Sequence, residues 1–146
     1  MKLFDPMTDD MAALAGLHAA CFAESWSAAS LRDLFAGPGV FAFAQANGFI
    51  LARAVGDEAE ILTLAVAPPA RRRGIASLLV RAAAAHAADL GAKTLFLEVA
   101  TDNQAAIGVY EGVGFIPAGR RKAYYGGQDA HIFKCILPLP NPDEFA

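Results

Sequence analysis

Two segments of the chain carry residues whose types and spacing can do chemistry. The first, LAVAPPARRRGIAS at 64–77, runs from an apolar strand through two prolines and three arginines into a helix. The N–H groups that begin a helix lack intrahelical partners and lie at the positive end of its dipole, so they bind phosphate. The second, LEVATDNQAAIGVYEGVGF at 97–115, ends a strand near Glu98 and places Tyr110 on a short helix. The sequence therefore predicts a phosphate-bearing ligand beside an acid–base pair.

The arginine run leaves two interpretations open. Arg71, Arg72 and Arg73 precede Gly74, which lets a ligand approach the backbone, and Ala76, which keeps the first helical turn open, though less than a glycine would. The same run is also typical of a solvated basic helix start. Consecutive side chains point in different directions, so the three arginines cannot all contact one phosphate. The spacing is neither that of a Walker A loop nor that of a dinucleotide fingerprint.

Composition indicates one cytoplasmic domain covering 1–146. The net charge of −3 argues against general nucleic-acid binding, which favours a basic face. No apolar run is long enough to span a membrane, and MKLFDPMTDD lacks the apolar stretch of a signal peptide. Cys21 and Cys135 lack metal-ligand spacing and are expected to be reduced thiols. The histidines make no metal spacing either, and His86 continues an apolar stripe, so it is expected to pack.

Periodicity and turn signals predict the elements that position these residues. The predicted strands cover 2–5, 39–45, 48–56, 59–67, 94–99, 115–124 and 130–138. The predicted helices cover 9–22, 28–36, 73–90 and 103–112. Thr8 and Ser27 are predicted to cap the first two helices, Thr101 and Gln104 to form a capping box for the fourth, and Gly114 to end it.

The order of these elements predicts an α/β fold. Asn47-Gly48 and Gly56-Asp57 are hairpin turn signals, so strands 39–45, 48–56 and 59–67 are expected to form an antiparallel meander. A strand–helix–strand unit follows, and its right-handed crossover makes strands 59–67 and 94–99 parallel. The last two strands are predicted to form a hairpin across Gly126-Gly127.

Several motifs resemble one protein family. Arg71-x-x-Gly74-x-Ala76 resembles the Gln/Arg-x-x-Gly-x-Gly/Ala acyl-CoA signature of the GNAT N-acetyltransferase superfamily. Residues 97–115 are similar to the LEVR-x-SN-x-A-A-x-x-LYE-x-x-GF stretch of bacterial ribosomal-protein-alanine N-acetyltransferases. Further matches are Ser25-Trp26-Ser27, Arg121 with Tyr124-Tyr125, and Asp129-Ala130. The chain departs from the pattern at Arg71, Ala76, Ser25 and Ala123, where the family more often has glutamine, glycine, proline and asparagine.

The resemblance implies a GNAT fold. This is a mixed, mostly antiparallel sheet of about six or seven strands with about four helices, splayed between strands 59–67 and 94–99. It implies acetyl transfer from acetyl-CoA to an amine by direct attack in a ternary complex, without a metal. The implied acceptor is a protein or peptide N-terminus, above all a ribosomal protein that begins with alanine. No nucleic-acid or membrane partner is expected, and the protein is expected to be a monomer or weak dimer.

Glu98 matches the family's proton acceptor. A carboxylate with a pKa of ~4.3 is a weak base toward an α-ammonium of ~8, a gap of about 5 kcal/mol. Apolar neighbours such as Phe96 and Val99 favour a higher pKa by desolvation. Action through a water molecule, or simple binding of the ammonium, stays open, as does an exposed carboxylate without a role. Glu60, on the preceding strand, is the alternative acceptor.

Tyr110 matches the family's proton donor, although a tyrosine packed on an amphipathic helix has the same pattern. Transfer from a phenol of pKa ~10 to a thiolate of ~8.5 is uphill by about 2 kcal/mol. The Val66 N–H is implied to polarise the thioester carbonyl, and Asn103 either contacts coenzyme A or caps its helix. The cofactor-binding residues implied by the resemblance are Leu64, Ala65, Val66, Arg71, Arg72, Arg73, Gly74, Ile75, Ala76, Ser77, Asn103 and Tyr110.

The acceptor side is assigned to Trp26 and Tyr124. Trp26 either lines a peptide groove or anchors the core, and strand alternation lets only one of Tyr124 and Tyr125 face the site. Two alternative functions stay open. One is acetylation of a small-molecule amine or lysine; the other is an acyl-CoA-binding module without turnover. Glu98 and Tyr110 argue against the module, because binding alone needs neither acid nor base.

Overall fold

The computed structural model describes residues 1–123 and 127–140. Within them the strands are β1 (Lys2–Leu3), β2 (Val40–Gln45), β3 (Gly48–Val55), β4 (Glu58–Val66), β5 (Thr94–Ala100), β6 (Ile116–Arg121) and β7 (Ala130–Ile136). The helices are α1 (Met11–Cys21), α2 (Ala28–Phe35), α3 (Ile75–Asp89) and α4 (Gln104–Val113), with a 3-10 turn at Pro68–Ala70. None of these helices has the length and apolar character needed to cross a membrane.

The strands form one sheet in the order β1-β2-β3-β4-β5-β7-β6. Every neighbouring pair is antiparallel except β4 and β5, which confirms the predicted mixed sheet. The parallel pairing joins only Glu58–Glu60 to Thr94–Phe96. Beyond these residues the two strands are not paired, in agreement with the predicted splayed pair. We call the space between 61–66 of β4 and 97–100 of β5 the gap.

Helices cover the two faces of the sheet unequally. α3 and α4 pack on one face through an alanine-rich core in which Leu79, Val80 and Ala83 meet Ile50 and Leu95. α1 and α2 pack on the other face, over β2, β3 and β4. That second face stays exposed across β5, β7 and β6, where strand alternation places Phe96, Glu98, Ile132 and Arg121. We call this region the open face.

Three predicted helix starts were wrong: α3 begins at Ile75 rather than residue 73, after Gly74 as its cap, and at α1 and α4 local hydrogen bonds compete for the chain. The Asp9 N–H donates to the Asp5 carbonyl (2.8 Å), which closes a turn ahead of α1. Asp10, not Thr8, therefore caps α1 and accepts from the Ala12 N–H. Asn103, not Thr101, caps α4, and its side chain accepts from the Ala106 N–H (3.2 Å). The Ser27 cap was confirmed.

The β2–β3 loop lies between the predicted strand ends, one residue before the Asn47-Gly48 turn signal. Gln45 pairs with Gly48, so the two-residue loop is Ala46-Asn47 and Gly48 is already in β3. Packing explains the glycine, because a Cβ at residue 48 would lie 3.2 Å from Leu79 and 3.3 Å from Ile75 of α3. Gly56-Asp57 does connect β3 to β4, as predicted. The short β1 ends at Leu3 rather than residue 5.

Candidate active site

The backbone of β4 is available to a ligand along the gap. The Ala67 N–H donates to the Asn47 carbonyl (2.8 Å), so residues 47 and 67 form a hydrogen-bonded antiparallel pair. Because such pairs alternate, Leu64 and Val66 turn their N–H and C=O groups away from β3 and toward the gap. A bulge supports this arrangement, since Leu51 faces Thr63 while Ala52 faces Ile61, leaving Leu62 as the extra residue.

The turn between β4 and α3 exposes the start of the helix. Gly74 caps α3 in the left-handed region, at φ 79° and ψ 5°, without a side-chain cap. The first helical bond runs from the Leu78 N–H to the Gly74 carbonyl (3.1 Å). The N–H groups of residues 74–77 therefore have no partner within the helix. Arg72 is also left-handed, at φ 66°, a conformation that costs an L-residue about 1–2 kcal/mol.

The arginines at this turn are placed differently from one another. Arg71 donates from Nε to the Val66 carbonyl at 3.0 Å, so it ties the turn to the end of β4. The Cys21 thiol, at the end of α1, donates to the same carbonyl at 3.3 Å. Arg72 and Arg73 are exposed beside the helix start. No sequence motif indicates the Arg71 bond, because its acceptor is a backbone atom.

Two predicted proton acceptors share one depression on the open face. It has a volume of about 500 Å³ and is lined by Arg53, Val55, Glu58, Ala59, Glu60, Phe96, Glu98 and Ile132. Arg53 forms an ion pair with Glu60 at 3.3 Å. Arg121 Nη1 lies 3.1 Å from Glu98 Oε2 and 3.5 Å from Oε1. Sequence reasoning noted Arg121 only as a motif match, because this contact depends on the register of β5, β7 and β6.

Tyr110 lies on the opposite side of β5 from Glu98. Its side chain is only 6% exposed and packs in the α3/α4 core against Phe115, at 5.6 Å between ring centroids. Leu97 and Val99 belong to that core, whereas Glu98 between them faces outward. Burial raises the pKa of Tyr110 to about 12. A ligand that passes through the gap from one face to the other would connect the two side chains.

Trp26 is held by a histidine that sequence reasoning left without a role. The backbone N–H of Trp26 donates to His18 Nδ1 at 3.1 Å, and the two rings stack with centroids 4.7 Å apart. His18 is 3% exposed and also stacks on Phe22 at 4.4 Å. Burial lowers the pKa of His18. His86, expected to pack, does so edge-on against Phe41 at 4.5 Å.

Hydrogen bonds join the β6–β7 connection to the loop after β5. The Asp129 carboxylate accepts from the Ala123 N–H (3.0 Å) and pairs with Arg120 (2.8 Å). The backbone bond is the main cause of the lowered pKa of Asp129. Gln128 donates to the Thr101 hydroxyl, at 2.6 Å. Tyr124 and Tyr125, predicted at the acceptor side, lie outside the described residues.

The chain resembles known proteins over most of its length. Residues 11–115 match the model of the acetyltransferase (GNAT) family. Over 92 residues the chain is 37% identical to the ribosomal protein bS18-alanine N-acetyltransferase of Salmonella typhimurium. That alignment covers 63% of this chain and 62% of the relative, so the chain spans less than two thirds of the length of that protein.

Two solved structures have the same fold. The crystal structure of the ribosomal-protein-alanine N-acetyltransferase from Escherichia coli is 28% identical, with a TM-score of 0.78 and coverage of 97% of both chains. Arabidopsis thaliana NAA60, crystallised in complex with acetyl-CoA, superposes with a TM-score of 0.81 at 20% identity. This second match covers 93% of this chain and 97% of that one.

Proposed function

Since the chain belongs to the acetyltransferase (GNAT) family, we propose that it transfers the acetyl group of acetyl-CoA to a protein N-terminal α-amine. The acceptor we propose is a ribosomal protein that begins with alanine. The gap carries this proposal, because it places free β4 backbone next to an uncapped helix start and leads to a carboxylate. The name of the Salmonella typhimurium relative supports the choice of acceptor.

Each part of acetyl-CoA has a matching feature along this path. The N–H groups of residues 74–77 suit the pyrophosphate, and Arg72 and Arg73 suit its outer oxygens. The gap-facing backbone of Leu64 suits the pantetheine amides, as an added strand would, whereas the Val66 carbonyl is already held by Arg71 and Cys21. Asn103 uses its side-chain oxygen to cap α4, which leaves its NH₂ group free to donate to the cofactor.

The transfer itself needs three groups from this chain. The amine attacks the thioester carbonyl while the Val66 N–H donates to the developing oxyanion. Glu98 accepts the proton that the nitrogen loses, directly or through water. The carbon–sulfur bond then breaks, and the departing thiolate takes a proton from Tyr110. The acetyl group ends on nitrogen and the products are the amide and free coenzyme A.

The high pKa of Tyr110 is compatible with this role. A donor with a pKa of about 12 is poorly matched to a thiol in water, whose pKa is about 8.5. Burial, however, acts on thiols as it does on phenols, and it raises the pKa of Cys135 in the same core to about 12. Burial beside Tyr110 therefore makes a released thiolate more basic than one in water, which favours the proton transfer.

The open face supports a peptide acceptor over a small amine. Glu98 keeps 40% of its side chain exposed, and β6 is exposed along its length, so an extended chain has room beside the carboxylate. A small-molecule amine is better served by a closed pocket. Cytoplasmic location and a monomeric or weakly dimeric state stay predictions from the sequence.

The first test measures free-thiol release from acetyl-CoA with peptides that begin with alanine, serine, methionine or glycine, and with spermidine and lysine. We expect turnover with the alanine peptide, a product acetylated at the α-amine by mass spectrometry, and none when that peptide is already blocked. Turnover with spermidine or lysine alone would replace the proposal with the small-amine alternative. Coenzyme A binding without turnover on any acceptor would favour the binding module.

A further inference from the structure

We propose that Arg121 is a positioning residue that occupies the place of the acceptor's ammonium against Glu98. Once displaced, it keeps the bound amine in its neutral, reactive form. The inference rests on the proposed function, since it takes Glu98 as the proton acceptor. It concerns a residue that contacts Glu98 rather than the reacting atoms.

The sheet register brings the two side chains together over a sequence separation of 23 residues. Arg121 on β6 pairs with Ala130 on β7, and Ala130 pairs with Ala100 on β5. Arg121 and Glu98 therefore project from the same face, two strands apart. The guanidinium reaches across β7, and its Nη1 approaches both carboxylate oxygens, at 3.1 and 3.5 Å. One nitrogen serving two oxygens is how an ammonium group, too, would bind this carboxylate.

The ion pair between Arg121 and Glu98 is weak enough for an incoming ammonium to displace it. The side chains of Arg121 and Glu98 are 70% and 40% exposed, and ion pairs this accessible are weak and screened by salt. The geometry is end-on rather than the two-nitrogen fork that makes arginine–carboxylate pairs strong. An incoming α-ammonium offers the same kind of N–H donors, so it can replace the guanidinium without leaving Glu98 unpaired.

The surrounding charges explain why a cation is needed beside the amine. Glu58 and Glu60 of β4 line the same depression as Glu98, and three carboxylates favour a protonated amine. Arg53 of β3 is engaged by Glu60, and Lys134 of β7 shares this face opposite Phe96. Arg121 is the cation paired with Glu98 itself. Held near the bound amine, its charge disfavours the ammonium and favours the neutral nucleophile.

The test is the pH dependence of kcat and KM for the peptide acceptor. In Arg121→Gln we expect the acid limb of kcat to move to higher pH by about one unit, because the amine loses its repelling neighbour. The rate then falls about tenfold at pH 7 and recovers near pH 9. KM for the peptide falls as well, because the ammonium no longer competes with a guanidinium. Arg121→Lys keeps the charge and the wild-type midpoint.

Arg120→Gln is the matched control, because it removes the same charge from the adjacent residue, which pairs with Asp129 instead. It is expected to leave the midpoint in place. An equal loss at every pH in Arg121→Gln, or an unchanged midpoint, overturns the inference. Glu98→Gln separates the two levels of the argument. If Glu98→Gln turns over like wild type, Glu98 is not the proton acceptor. If Glu98→Gln is inactive while Arg121→Gln keeps the wild-type midpoint of the pH profile, only the role of Arg121 fails.

Discussion

The two ends of the gap differ in the groups that they offer to a ligand: backbone groups at one end and charged side chains at the other. The β4–α3 turn, residues 67–74, offers mainly backbone groups: it has left-handed residues at 72 and 74 and uncapped N–H groups. The carbonyl just before it, that of Val66, is held by Arg71 and Cys21. The open face is made of exposed side chains in ion pairs, Arg53 with Glu60 and Arg121 with Glu98. A backbone site depends on conformation, whereas a side-chain site depends on charge and can change by single substitutions. We therefore expect the cofactor to be fixed by the fold and the acceptor to be set by a few open-face residues.

The sharpest way to test this contrast is Glu98→Gln, for which we expect the largest effect. General acid–base catalysis typically contributes 10²–10⁴-fold, so kcat for the peptide should fall by at least about a hundredfold. Acetyl-CoA affinity should stay within about twofold of wild type, because the backbone site is intact. Steady-state kinetics measures the fall in kcat, and titration with acetyl-CoA measures the affinity for the cofactor. The matched variant is Glu60→Gln, and a larger loss of kcat in that variant would make Glu60 the proton acceptor.

The second largest effect is expected from removing the hydrogen bond by which Arg71 holds the β4–α3 turn to the end of β4. Arg71→Gln removes the Nε bond to the Val66 carbonyl, and we expect acetyl-CoA to bind about tenfold more weakly, in line with one lost charge-assisted bond. The salt dependence of that affinity should not change, because Arg71 acts on the chain rather than on a phosphate. Arg73→Gln is the comparison and should flatten the salt dependence. If the two variants flatten it equally, Arg71 binds phosphate instead.

The sequence predicted the backbone-built end better than the side-chain-built end, for a physical reason. Gly74 and the strand–helix–strand order are local signals, and they place the start of α3 within two residues and predict the parallel pair. The Arg121–Glu98 contact spans β7 and requires the register of three strands, and the Arg71 bond requires the direction of one carbonyl. Helix starts failed where two capping schemes competed, as at Asp10 and Asn103. The assignment of Tyr124 falls outside the described residues.

A smaller effect is expected from removing the conformational freedom of the turn. Gly74→Ala places a Cβ at φ 79°, where an L-residue pays about 1–2 kcal/mol even though no atom lies near it. Gly91→Ala, at φ 100° beyond the other end of α3, carries the same kind of strain in equally open space. Both should lower the free energy of unfolding by about 1 kcal/mol. Only Gly74→Ala should also weaken the binding of acetyl-CoA, measured by calorimetry. Equal affinity for acetyl-CoA in the two variants would contradict a cofactor site formed by the backbone of the β4–α3 turn.

The smallest effect concerns His18, which holds Trp26 against the α1–α2 connection. Its lowered pKa means that the unfolded chain binds a proton more readily, so its contribution to stability is complete above the unfolded pKa of about 6.5 and is lost as pH falls. Asn is the instructive replacement, because its side-chain oxygen can accept a hydrogen bond from the backbone N–H of Trp26 but does not titrate. Between pH 7.5 and 5 we expect the melting temperature of wild type to fall more steeply than that of His18→Asn, which starts lower because the ring stacking is gone. The carboxylates of Asp9 and Asp129, whose pKa values are lowered, titrate below this window and cannot produce the difference. If the melting temperatures of the two proteins fall equally with pH, His18 supports Trp26 by packing alone, and acid leaves the surroundings of Trp26 in place.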